Sequence, residues 1–195
     1  MRKLLLTLIC FGAIGAAMPV LAADLPQDVV DTLLYMREEE KLAHDVYVHF
    51  AGLYVGVAPG AHIFDRIAQS EQRHTDAVKN LLVTYGIDDP AASTAPGEFV
   101  DDELQALYLT LTSVGEAGIT EALGVGVLIE QKDLTDLVAA IEVSAAYADI
   151  VQVYTNLLAG SQRHLDAFMK VLDTSASGAA FTAGPDSGKS PGKGR

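Results

Sequence analysis

Glu71-Gln72-Arg73-His74 sets a carboxylate and an imidazole three residues apart, and on a helix such a pair projects from one face. Both side chains bind divalent metals, so the spacing is one a metal site can use. A single run of this kind is common by chance, but here the geometry recurs. His74 follows Glu40 by 34 residues, and His164 follows Glu130 by 34 residues. The position equivalent to Glu71 in the second set, 31 residues after Glu130, is Ser161. Two hairpins thus carry the same ligand pair at the same separation, with one carboxylate absent. Asp133, one helical turn after Glu130, either fills that gap or is an acid on the helix flank. An oxygen-rich set with two imidazoles favours iron or manganese over zinc or copper. His44, one turn after Glu40, is a supernumerary ligand or, more commonly at such a position, a flank histidine. Tyr47 and Tyr154 lie seven residues from Glu40 and Ser161, where a phenol can hydrogen-bond a ligand, relay an electron or fill core with a polar tip. His49 and His62 have no supporting pattern.

These residues need helices to hold them, and four long segments have helical period. Leu33, Met36, Arg37, Glu40, Ala43, His44, Tyr47, Phe50 and Tyr54 recur at three and four, which puts Glu40 inside an apolar stripe. A second stripe runs from about Ile63 to Tyr85 and contains Glu71 and His74, with Gly86 as its stop. The connection between them, with Gly56, Pro59 and Gly60, is short enough to make an antiparallel hairpin. The third helix begins near Gly118 to Thr120 and carries Glu130 and Asp133 on an apolar face; after a break around Val143 to Ala148, the fourth carries Tyr154, Ser161, His164 and Phe168. Between the hairpins, the stretch from Ile87 to Gly118 is a long crossover, in which Asp101-Asp102-Glu103 opens one short helix. The expected fold is all-α: a four-helix bundle of two helical hairpins joined by a long crossover with one extra short helix. At about 1.5 Å per residue, Glu40, Glu71, His74, Glu130 and His164 all fall at a similar height. Buried unpaired carboxylates are costly, and divalent cations would compensate several at once.

The ends read differently from the middle. Arg2 and Lys3 precede an apolar run from Leu4 to Ala17, and small residues at 22 or 23 suit a signal peptidase, so residues 1–23 read as a signal peptide. The expectation is an exported protein, periplasmic or extracellular, without stable membrane insertion after cleavage. The lone cysteine, Cys10, falls in that segment, which excludes disulfides and thiolate chemistry from a mature chain. Residues 24–173 read as the single bundle domain and 174–195 as a flexible Gly/Ser-rich tail. The formal net charge is −13, and loss of Arg2 and Lys3 makes it −15. Such a surface repels nucleic acid and anionic headgroups and favours metal ions as partners. No phosphate-binding glycine loop or nucleophile elbow is present in the sequence.

The run from Glu40 through Tyr47, Glu71-x-x-His74, Glu130-x-x-Asp133 and His164 resembles the ferritin-like, rubrerythrin-type di-iron carboxylate family. Over roughly residues 28 to 173 it is more closely similar to uncharacterised bacterial and archaeal ferritin-like domains, through Ser70-Glu71-Gln72-Arg73-His74 and Asn156-Leu157-Leu158-Ala159-Gly160-Ser161. The resemblance implies two metal ions, iron or else manganese, held by Glu40, Glu71, His74, Glu130 and His164. It also implies an oxidoreductase of ferroxidase or peroxidase type acting on Fe(II), O2 or peroxide, with a homodimer among the assemblies open to it. Ser161 departs from the family pattern, which has glutamate there, and the rubrerythrin thiolate module is absent. The alternative is a non-catalytic metal-binding or iron-sequestering protein, or a structural bundle with a degenerate site.

Overall fold

A computed structural model describes residues 25–56 and 58–182, with side chains described as far as Thr174. Among these residues the chain is all-helical, with five helices and no strand: α1 (Gln27–Tyr54), α2 (His62–Tyr85), α3 (Asp102–Gly115), α4 (Ile119–Val143) and α5 (Ala148–Thr182). The ends of the helices follow local chemistry. Gly86 takes φ 66°, a left-handed conformation open to glycine, and its N–H donates back to the Leu82 and Val83 carbonyls to close α2. Asp101 caps α3, its carboxylate accepting from the N–H groups of Glu103 and Leu104 at 2.9 Å each. The α4–α5 break falls where the sequence places it.

The four long helices pack pairwise: α1 lies on α2, α4 on α5, α1 on α4 and α2 on α5, while α3 rests on α1 and α4. Their apolar residues form two separate clusters. One gathers Tyr47, Phe50, Phe64, Leu123 and Phe168; the other gathers Leu33, Met36, Leu82, Leu137, Tyr154 and Leu157. Each large side chain so buried contributes about 1.5–3 kcal/mol. On every long helix the residues buried between the two clusters are polar: Arg37 to Glu40 on α1, Glu71, His74 and Thr75 on α2, Glu130 and Asp133 on α4, Ser161 and His164 on α5. A polar layer therefore crosses the core at mid-height.

The crossover from Gly86 to Asp101 is tied down by α1. Arg37 reaches Asp89 (3.0 Å) and the Thr75 hydroxyl (2.6 Å), and Glu38 accepts from the N–H groups of Val100 (2.6 Å) and Asp101 (2.9 Å). Lys41 donates to Asp45 (2.6 Å) and to the Ala95 and Glu98 carbonyls, and Asp45 accepts from Gly97 N–H at 2.9 Å. Composition ends the domain at 173, but α5 continues nine residues further, to Thr182. Extending an existing helix fixes one residue per new hydrogen bond, and the Ser and Ala residues there tolerate it without a proline to stop it. The expected signal peptide, residues 1–23, and the tail beyond 182 lie outside the described residues.

Candidate metal centre

The polar layer is a cluster of acids around two histidines. Glu71, on α2, stands between them: its Oε2 is 2.8 Å from His74 Nδ1 and its Oε1 is 2.6 Å from His164 Nδ1. Each Nδ1 has a second carboxylate near it as well. Glu40 Oε2 is 3.3 Å from His74 Nδ1, and Glu130 Oε2 is 3.6 Å from His164 Nδ1. The imidazoles lie nearly parallel, with centroids 5.4 Å apart and planes 26° apart. The arrangement is pseudo-symmetric, with one histidine and one terminal glutamate on each side of Glu71.

These contacts are short, yet they are not aligned as hydrogen bonds. His74 Nδ1, His164 Nδ1, Glu71 Oε1 and Glu40 Oε1 are all buried without a hydrogen-bond partner. Buried ring nitrogens and carboxylate oxygens in short contact without aligned hydrogen bonds can serve as ligands to a cation. Glu71, His74 and His164 together offer three ligand atoms that lie within 4.8 Å of one another. The donor set, carboxylate oxygen with imidazole nitrogen, is one that divalent metals accept.

Asp133 and Ser161 occupy the remaining side. Ser161 is fully buried and donates to the Leu157 carbonyl at 3.1 Å, one turn back in its own helix. Asp133 is buried with Oδ1 unpartnered. Burial and then the nearby Glu40 raise its pKa well above the ordinary value, while the Ser161 hydroxyl works in the opposite direction. Asp133 thus sits beside Ser161. Tyr47 donates to Glu130 Oε1 at 2.6 Å and fixes that carboxylate; its ring packs on Phe168 at 5.2 Å. Tyr154 is buried in the other apolar cluster and makes no hydrogen bond to the acids. His44 turns away from the cluster to Asp45, with Nδ1 to Oδ1 at 2.9 Å. His49 pairs with Glu116 and His62 is exposed.

Burial and neighbours split the titrations. Burial opposes charge on His74, but Glu40 and Glu71 outweigh it and raise the imidazole to about 11; Glu130 and Glu71 similarly raise His164 to about 9. Burial would raise Glu71, yet His164 and His74 hold it down to about 2. Glu40 is pushed up to about 8 by burial, and Glu130 to about 7 by burial and then by Glu71. The two imidazoles thus favour the charged form of Glu71, while burial works against charge on the outer acids Glu40 and Glu130.

Three features escaped the sequence. Gly160 lets α5 approach the first histidine, since a Cβ there would stand 2.5 Å from His74 Nε2. A glycine within a helix ordinarily reads as a weak point, so nothing flagged it. Glu39 is buried beside Glu40 and accepts from Lys132 Nζ at 2.8 Å, while Glu38 reaches the crossover. The destinations of Glu38 and Glu39 lie 62 and 93 residues away, beyond any local pattern.

The class is thereby defined: an all-α protein whose core encloses a group of side chains able to hold a metal ion. The model of the uncharacterised protein domain family DUF2202 matches residues 29–184, and the chain belongs to that family. It is 39% identical over 149 residues to the uncharacterised protein MJ0754 of Methanocaldococcus jannaschii, covering 76% of this chain and 77% of that protein. The crystal structure of hypothetical protein MJ0754 from Methanococcus jannaschii is similar with a TM-score of 0.72 and 38% identity, over 78% of this chain and 83% of that one.

Proposed function

We propose that this protein is an exported metal-binding protein with a ferritin-like four-helix bundle, and that Glu40, Glu71, His74, Glu130 and His164 hold two iron or manganese ions. The observation that supports this reading best is the position of Glu71, facing both Nδ1 atoms with neither contact aligned as a hydrogen bond. In that role Glu71 would be shared by the two sides, with His74 and Glu40 holding one ion and His164 and Glu130 the other. Bound iron would supply Lewis acidity and one-electron chemistry toward O2, peroxide or Fe(II), the work of a ferroxidase or peroxidase. The chain's own part is to bind and to orient. Tyr47 keeps Glu130 turned inward, the two apolar clusters keep bulk water from both ends of the layer, and Asp133 stands where the fourth-helix carboxylate is lacking. No described helix is long and apolar enough to cross a membrane.

A second reading, a protein that holds one ion without turnover, is favoured by Ser161 and by the three-residue group Glu71, His74 and His164. Anaerobic loading with Fe(II), followed by metal analysis and exposure to O2, separates the two. Two irons per chain with oxygen consumption supports the di-metal oxidoreductase; one tightly held ion that is not oxidised supports the second reading. A chain that retains no metal defeats both.

A further inference from the structure

Outside the cluster, an open pocket of about 550 Å³ lies between α1 and α4, with Asp31, Glu103 and Asp136 among its walls. Lys132 lines it too, half-buried. The three donors of an ammonium group are all used there: Lys132 Nζ reaches Tyr35 OH (2.5 Å), Glu39 Oε1 (2.8 Å) and Asp136. Its ammonium also lies 5.0 Å from the Tyr35 ring centroid. Behind Lys132 the acids continue inward. Glu39 is only 4% exposed and keeps Oε2 without a partner, although nothing about its tie to Lys132 requires a second buried oxygen to be left bare. Asp133, the residue after Lys132 on α4, is buried as well. It leaves Oδ1 unpartnered and stands one helical turn from Glu130 of the cluster. Carboxylates with bare buried oxygens therefore lead from the pocket to the cluster, closed at the outer end by one lysine.

We propose that this pocket is where divalent cations enter, and that Lys132 is a displaceable plug from which they pass by way of Glu39 and Asp133 to the candidate metal centre. The inference rests on the metal-binding reading above. An arriving cation is concentrated by Asp31, Glu103 and Asp136 and takes over the Glu39 and Asp136 oxygens that Lys132 occupies. Lys132 can leave, because its side chain is 35% exposed and opens onto the pocket. Glu39 and Asp133 then offer oxygens at successive depths, so that the ion is not stranded without ligands in an apolar core.

The test is stopped-flow uptake of Co(II) by the metal-free full chain, followed by the visible absorbance of the bound ion, with final stoichiometry measured separately. The double variant Glu103→Gln/Asp136→Asn should load about tenfold more slowly at low ionic strength and reach the parent's metal content, because field focusing alters the rate and not the final ligands. Lys132→Met should load several-fold faster, since the plug is gone. Asp166→Asn, which removes an exposed acid on α5, should load within about twofold of the parent. Loading of the double variant and of Lys132→Met at the parent's rate overturns the route while leaving the metal site intact. A parent chain that binds no Co(II) overturns the metal reading, and the route with it.

Discussion

Gly160 is where a single methyl group should separate metal binding from folding. A Cβ at this position would lie 2.5 Å from His74 Nε2 and 2.6 Å from its Cε1, whereas ordinary contact begins near 3.4 Å. In Gly160→Ala the ring must therefore retreat by about 1 Å, because the backbone of α5 is fixed by its own hydrogen bonds. Two effects oppose each other in stability: alanine gains about 0.5–1 kcal/mol in a helix, and overpacking costs about 1–3 kcal/mol. The net loss of up to about 2.5 kcal/mol should lower Tm by several degrees at most. Metal affinity should suffer more, since ligand bonds tolerate displacements of only about 0.2 Å, and a shift of about 1 Å should cost at least tenfold. Gly115→Ala is the control, because its Cβ would strike Phe50 Cζ at 2.1 Å in the apolar cluster that lies beyond the site. Calorimetry for Tm and Co(II) titration for affinity should show both variants destabilised but only Gly160→Ala impaired in binding. Equal binding by Gly160→Ala and the parent would refute the assignment of His74 as a ligand held in place by α5.

Three further outcomes follow from the same geometry. Ser161→Glu should raise metal content toward two ions per chain and Asp133→Asn should lower it, by elemental analysis; if neither changes it, Asp133 is a bystander. Tyr47→Phe leaves Glu130 Oε1 without its 2.6 Å donor in a buried site, so chemical denaturation should show a loss of about 1–3 kcal/mol, and no loss would mean that water replaces the phenol. In chelator, the stability of the metal-free chain should be greatest in mildly acidic solution. His74 and His164 are raised to about 11 and 9, so their contribution is complete below the unfolded value of about 6.5 and is lost as pH rises through 9 and beyond, whereas Glu71, held near 2, contributes above about 4.5 and is lost on acidification toward 2; denaturant titrations from pH 4 to 10 that show no decline on the alkaline side would refute the charge assignment.

The long helices were legible because the apolar stripes repeat at three and four, and the polar layer was legible because Glu40, Glu71, His74, Glu130 and His164 interrupt those stripes where a charge has no ordinary reason to be. The neighbours of Glu40 were not. Glu38, Glu39 and Lys41 look like a solvated flank in the sequence, yet each has a distant partner: crossover N–H groups, Lys132, and the Asp45 and Ala95 region. Periodicity reports which side of a helix faces inward, and a crossover that folds over the outer side alters which residues are buried without altering the period. The end of α5 was missed for a related reason, since composition measures the tendency to start a helix and Thr182 lies on one already started.

The charge of the polar layer fixes what must neutralise it. Four carboxylates meet there, Glu40, Glu71, Glu130 and Asp133, with two imidazoles and no lysine or arginine among their short contacts. Four positive charges are needed in an environment where an uncompensated ion costs several kcal/mol. The metal-free cluster is biased toward taking them up as protons: His74 and His164 are raised to about 11 and 9, Glu40 to about 8 and Glu130 to about 7, and Asp133 well above its ordinary value. Two divalent cations supply the same four charges. Filling the site with two ions at neutral pH should therefore release about four protons, and filling it with one should release about two. Titration calorimetry of Co(II) in buffers of different ionisation heat counts them directly. A release near four with two ions bound supports charge replacement in the layer, whereas two bound ions with no proton release would place the metal elsewhere on this acidic chain.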